Sequence, residues 1–140
     1  MKERKLNNKG FSLVELIIVI AIMVILVVVI APQYTKFVKN SRIAADVQTA
    51  QAAATAIDVA VAEGKTGLFT SGKYTASDPI NVSQMTSKMG GTFNIYGTDA
   101  NGVEKITLED PDGETAGEYM CYPNPDVSGA DKGLNNLKNN

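Results

Sequence analysis

The sequence predicts an α+β protein: one long N-terminal α-helix, transmembrane in its first half, packed by its second half on a small antiparallel β-sheet. Three observations predict it. Phe11 to Ala31 is apolar except for Ser12 and Glu15, with no polar residue from Leu16 onward. Ile43, Val47, Ala50, Ala54, Ile57 and Val61 then recur at spacings of four and three, an amphipathic helical stripe. Beyond Gly64 the texture turns to Gly, Ser, Thr and Asp, with short β-prone runs separated by turn residues.

The apolar run comes first. Twenty-one residues in a helix rise about 31 Å, close to the roughly 30 Å hydrocarbon core of a bilayer. Lys2, Arg4, Lys5 and Lys9 precede it, against the single acid Glu3. A cleaved secretory signal would have a shorter apolar region and a small-x-small site after it, but Pro32-Gln33-Tyr34 offers none. A lipoprotein would need a Cys directly behind the run, whereas Cys121 lies far downstream. A plain signal anchor fits the hydrophobicity and leaves Glu15 unexplained. A carboxylate in hydrocarbon costs about 2.5–3.5 kcal/mol even on lenient scales, so Glu15 marks function or must reach the headgroups. Basic residues also follow the run (Lys36, Lys39, Arg42), so charge alone leans only slightly toward a cytoplasmic N-terminus.

The shaft continues past Pro32. That residue removes a backbone hydrogen bond and crowds the preceding turn, so a kink or local melting is expected there. Residues 44–62 are rich in Ala, the best helix former, and Gly64 suits a C-cap. A helix over 12–63 would be roughly 75–80 Å long. No core of a 140-residue chain buries that length, so lipid or other subunits must cover its first half.

The remaining elements are short. Residues 65–91 read as a connecting loop with one short helix near Ser83–Met89. Thr92–Tyr96, Val103–Leu108 and Glu118–Tyr122 read as strands of a meander, parted by Gly97–Gly102 and by Asp110-Pro111-Asp112-Gly113. The tail after Pro123 is polar and rich in Gly and Asn, and its end is expected to fray.

Composition excludes most chemistry. There is no His and one Cys, which removes His-based acid/base catalysis, Ser-His and Cys-His nucleophiles and nearly all zinc ligand sets. Asp110, Asp112 and Glu114 alternate around a Gly, half of a calcium loop by spacing. They lack the distal bidentate Glu, and a Pro-Asp-Gly turn accounts for them. No cofactor, metal or catalytic residue is assigned. Cys121, within Tyr119-Met120-Cys121-Tyr122, reads as a buried small hydrophobe.

Lys9-Gly10-Phe11-Ser12-Leu13-Val14-Glu15-Leu16, the aliphatic run and Pro32 together resemble the class III signal of type IV prepilins. The match covers residues 9–32. It implies a prepilin peptidase cutting between Gly10 and Phe11 and methylating Phe11. The chain then divides into a leader (1–10), a transmembrane and filament-core helix (11–32), an amphipathic continuation (33–64) and a C-terminal loop and sheet (65–140). The resemblance further implies that Glu15 meets the Phe11 amine of a neighbouring subunit, that Pro32 kinks the helix, and that the C-terminal domain lies outside the cell. Implied partners are copies of the chain in a helical filament, the peptidase, an assembly platform, a motor ATPase and, before assembly, the cytoplasmic membrane. The implied function is a structural type IV pilus subunit for adhesion, motility or biofilm; the alternative is a pseudopilin of type II secretion or DNA uptake. Many members carry Gly at the fourteenth mature position, where this chain has Val24, so the unwinding of 24–32 that they show in filaments is not carried over. Many Gram-negative members clamp the C-terminal loop with a disulfide, and a single Cys points instead to a Gram-positive or anaerobic host. Without residues 1–10 the chain has nine basic and fourteen acidic side chains, net −5, which disfavours direct nucleic-acid binding.

Overall fold

A computed structural model describes residues 11–111, 113, 116–126 and 132–139. The element order is α1 (Leu13–Ala62), β1 (Phe69–Thr70), β2 (Lys73–Tyr74), a 3-10 turn (Val82–Gln84), β3 (Thr92–Thr98), β4 (Gly102–Glu109), β5 (Glu118–Tyr122), β6 (Lys132–Gly133) and a closing 3-10 helix (Leu134–Asn139). The chain divides into two compact units after Lys36, within α1.

In the first unit every large apolar side chain from Leu13 to Ile30 is exposed. Helix α1 holds an 18-residue window of mean hydropathy 3.5 with none of it buried. Leaving even ten such side chains in water forgoes roughly 15–30 kcal/mol, more than the 5–15 kcal/mol that holds a domain together. This surface requires a cover. Pro32 lies inside the helix, and the helical assignment runs through it, so the single chain shows no melted segment at that position. The Thr35 hydroxyl donates to the Pro32 carbonyl at 3.0 Å.

In the second unit α1 ends as the sequence predicts. Gly64 takes φ +84°, the Gly64 N–H donates to Val61 O at 2.9 Å and the Lys65 N–H to Ala60 O at 3.0 Å. That pair of bonds is a Schellman closure, in which a glycine takes the left-handed position without a Cβ penalty. The buried stripe is Ile43, Asp46, Ala50, Ala53, Ala54, Ile57 and Ala60. Val47 and Val61, expected at its centre, are only partly buried. The stripe is therefore rotated slightly, and it seats a carboxylate in the core. Small Ala side chains let α1 share one core with Phe93, Ile95, Ile106, Leu108, Tyr119 and Cys121.

The six strands lie side by side in chain order. β1 to β5 pair antiparallel, and β6 joins β5 in parallel. The expected meander is β3-β4-β5, with β3 and β4 each longer than the residues predicted. Three expectations are corrected. The 65–91 segment is not merely a loop, because Phe69↔Tyr74 and Thr70↔Lys73 form a hairpin that extends the sheet. Its short helix is a single 3-10 turn at Val82–Gln84, ahead of the expected position. The tail does not fray throughout: Leu134 and Leu137 are buried, and Asn135 is tied to Pro125 O and to the Asp126 carboxylate, both at 2.9 Å. Two leucines supply the apolar contact that a polar tail otherwise lacks.

Cys121 is fully buried, and burial first, then the nearby Asp46 charge, pushes its thiol up to about 12. At pH 8 roughly one thiol in ten thousand is then ionised, and only the thiolate attacks. The native chain in detergent should resist iodoacetamide at pH 8 and react once unfolded in urea. Equal modification rates in the two states, read by mass, would contradict the burial.

Candidate functional site

Of the residues singled out by sequence, Phe11 and Glu15 lie at the start of α1, and Pro32 lies inside it. Phe11 is 86% exposed, and Ser12 precedes the first helical residue. The Ser12 carbonyl accepts the Leu16 N–H at 3.2 Å, so Ser12 occupies the N-cap position. From the third helical position Glu15 reaches back, and its Oε2 accepts the Ser12 N–H at 3.0 Å. This is the reciprocal half of a capping box, Ser-x-x-Glu. A carboxylate here also meets the positive end of the helix dipole. Sequence reading paired Glu15 with the amine at Phe11 and overlooked Ser12, although the Ser12-Leu13-Val14-Glu15 pattern was present to be read.

The carboxylate is therefore held at the backbone N–H of the residue that follows Phe11. Two acceptor oxygens allow it to keep the Ser12 N–H and bind a cation as well. Gly10, the other half of the expected cleavage site, lies outside the described residues, as does the rest of the expected leader, 1–9. Val24 stands within α1, which is helical throughout 24–32.

In the sheet part of the chain the described carboxylates bond to the chain's own backbone and side chains. No cluster of three potential metal ligands occurs among the described residues. Asp110 closes its own loop, accepting the Gly117 N–H at 2.8 Å, while Asp112 and Glu114 lie outside the described residues. Asp99 accepts the N–H groups of Gly67, Leu68 and Phe69 at 2.6, 3.0 and 3.1 Å, and the Gly67 bond leads in holding its carboxyl below the ordinary value. Asp58 Oδ1 accepts the Val103 N–H at 2.8 Å, tying α1 to β4. The φ of +80° at Gly102 and the closeness of Asp58 leave no room for a Cβ beside it. On the outer sheet face Glu109 and Glu118 stand in register, both accepting from the Asn94 amide at 3.1 and 3.2 Å, and Tyr96 donates to Glu118 at 2.8 Å. Burial first, then Glu118, raises the Tyr96 phenol above its ordinary value. These carboxylates organise loops and strands.

A family model described as the prokaryotic N-terminal methylation motif matches residues 5–31. The chain is 36% identical over 88 residues to the type IV major alpha-pilin of Moraxella bovis, covering 63% of this chain and 55% of that protein. It is 45% identical over 59 residues to fimbrial protein Q of Moraxella bovis, covering 42% of this chain and 38% of that protein. It is also 37% identical over 60 residues to the type IV major fimbrial protein FimA of Dichelobacter nodosus, covering 43% and 38%. The matched segments thus span between about two fifths and about half of the length of these relatives. No solved structure matches the chain.

Proposed function

We infer that this chain, a type IV pilin-like protein, is a structural subunit rather than an enzyme, one that is processed before Phe11 and polymerises through the first half of α1 into a helical surface filament. The observation that carries the reading is the wholly exposed apolar face from Leu13 to Ile30, opened by a single carboxylate at Glu15. A membrane covers such a helix in the free subunit, and other copies cover it in a filament. The uniform width of the apolar face, all round the helix rather than along one stripe, suits both environments.

Cleavage after Gly10 supplies the remaining part. It creates an amine at Phe11, one residue before the amide that already binds Glu15. Within one chain the two charges neutralise each other; across chains the same pair sets the axial register of neighbours. Once subunits pack together water is excluded and the pair strengthens, whereas in the exposed monomer it is weak. Processing by a prepilin peptidase, extrusion by a motor ATPase and platform, and display of residues 65–140 outward complete the proposal.

Mass spectrometry of material sheared from cells of the native host tests it. The expected mature N-terminus is methylated Phe11, abundant in the sheared fraction. An intact Met1 start in cells with active prepilin peptidase would overturn the reading. Processed protein confined to the membrane fraction would overturn the surface filament and leave a pseudopilin.

A further inference from the structure

We propose that Asn81 is an acceptor for N-linked glycosylation, so that the chain leaves the membrane carrying a glycan on the loop between β2 and β3. Asn81-Val82-Ser83 is the single Asn-x-Ser/Thr triplet in the sequence, and its middle residue is not Pro. The inference rests on the proposed function in one respect: the loop must face the outside of the cell, where sugar donors carried on membrane lipids are used.

The geometry gives the triplet chemical content. The Ser83 N–H donates to Asn81 Oδ1 at 3.1 Å and the Ser83 hydroxyl donates to the same oxygen at 2.6 Å. A backbone N–H can bond only to the oxygen of the amide, which settles which way the Asn81 side chain points. Its Nδ2 is therefore directed away from Ser83 and donates to no protein atom among the described residues. Two hydrogen bonds on Oδ1 draw electron density from the amide and make its N–H more acidic, which is what a poorly nucleophilic carboxamide needs. A helix-capping role needs only the backbone bond; the hydroxyl bond is the part that a Ser or Thr two residues on supplies.

The surroundings permit attachment. Ile80, Val82 and Met85 pack against the core and anchor the segment, while Asn81 is half-buried and Ser83 exposed. The chain enters Asn81 extended, at φ −98° and ψ 105°, and turns only afterwards. The nearest acid in sequence, Asp78, is paired with Lys65 at 2.6 Å, and no other acid lies between Lys73 and Lys88.

The donor is a polyprenyl diphosphate-linked sugar, and a host glycosyltransferase catalyses the transfer. Asn81 Nδ2 forms a bond to the anomeric carbon, and the bond from that carbon to the diphosphate oxygen breaks. Polyprenyl diphosphate leaves with the electron pair, and the amide proton passes to a base of the transferase. No oxidation occurs.

The tryptic peptide Tyr74–Lys88 contains the site. In protein sheared from the native host, that peptide should carry added mass in whole monosaccharide units, with fragmentation placing the first sugar on Asn81. Ser83→Ala should lose the adduct and Ser83→Thr should keep it, and both preserve Asn81 as cap. An unmodified peptide overturns the proposal, as does an adduct that survives Asn81→Gln. The mature N-terminal peptide is read from the same digest. Methylated Phe11 beside an unmodified Tyr74–Lys88 would sink the glycan alone, whereas an intact Met1 start would sink the pilus reading first.

Discussion

A Glu15→Leu chain is expected to enter the membrane at least as well as the parent and to yield essentially no surface filament. The two effects run in opposite directions, and that is what makes the variant informative. Removing a carboxylate from the end of an apolar helix relieves up to about 2.5–3.5 kcal/mol of insertion cost. If Glu15 did no more than snorkel to the headgroups, filament yield would hold or rise. If it pairs with a neighbour's Phe11 amine, each docking step leaves a cation without its partner in a dry helix bundle. Breaking a buried pair in this way costs about 3–5 kcal/mol. That is at least a hundredfold per step at roughly 1.4 kcal/mol per factor of ten, and a polymer compounds it.

The lost N-cap bond does not account for such an outcome. The Glu15 contact to the Ser12 N–H is one exposed hydrogen bond at 3.0 Å, and capping contacts are worth about 0.5–2 kcal/mol. A 50-residue helix anchored in a sheet domain does not melt for that. Ser12→Ala is a companion control, since it removes the N-cap hydroxyl and leaves both the carboxylate and the backbone N–H that it accepts. Immunoblots of sheared and membrane fractions read both variants. Parental filament levels from Glu15→Leu, or an equal loss from Ser12→Ala, would remove Glu15 from the docking step.

How much of this was legible in the sequence depends on the range of the interaction that decides each feature. Helix α1 was expected over 12–63 and spans Leu13–Ala62, because its signals are local: an apolar run, an Ala-rich stretch and a glycine stop. β3, β4 and β5 were legible because strong turn residues punctuate them. β1, β2 and β6 have two residues each, too few to show alternation, and they exist through pairing with strands that the local sequence does not name. Leu134 and Leu137 were hidden by the polar composition around them. Glu15 stood out because a lone acid in an apolar run is an anomaly in any fold. Asp46 did not, because one acid in an amphipathic helix reads as solvated. Its partners are 41 to 43 residues away, and nothing in the helix itself announces them.

Asp46 carries the second large expected effect. Asp46→Ala should lower the unfolding free energy of the chain in detergent by about 3–5 kcal/mol, a substantial part of the 5–15 kcal/mol typical of a domain. The carboxylate is fully buried on the inner face of α1. It accepts the Ser87 hydroxyl at 2.8 Å, the Lys88 N–H at 2.7 Å and the Met89 N–H at 2.9 Å. Those three bonds replace water around the charge, and they fasten the segment before β3 to the helix. Truncation leaves the Lys88 N–H without its acceptor, together with a cavity beside Cys121. The Ser87 hydroxyl also loses the acceptor for its own hydrogen, while the Met89 N–H retains Ser87 Oγ at 3.0 Å. Asp46→Asn should lose less, because one oxygen remains to accept while its amide hydrogens face donors. The contrast is Asp78→Ala, which breaks the ion pair with Lys65 at 2.6 Å. With those side chains 42% and 79% exposed and screened by water, the change should be far smaller than that of Asp46→Ala. Urea unfolding followed by circular dichroism measures all three. An Asp46→Ala midpoint indistinguishable from that of Asp78→Ala would mean that the helix and the Ser87–Met89 segment are held by apolar packing alone.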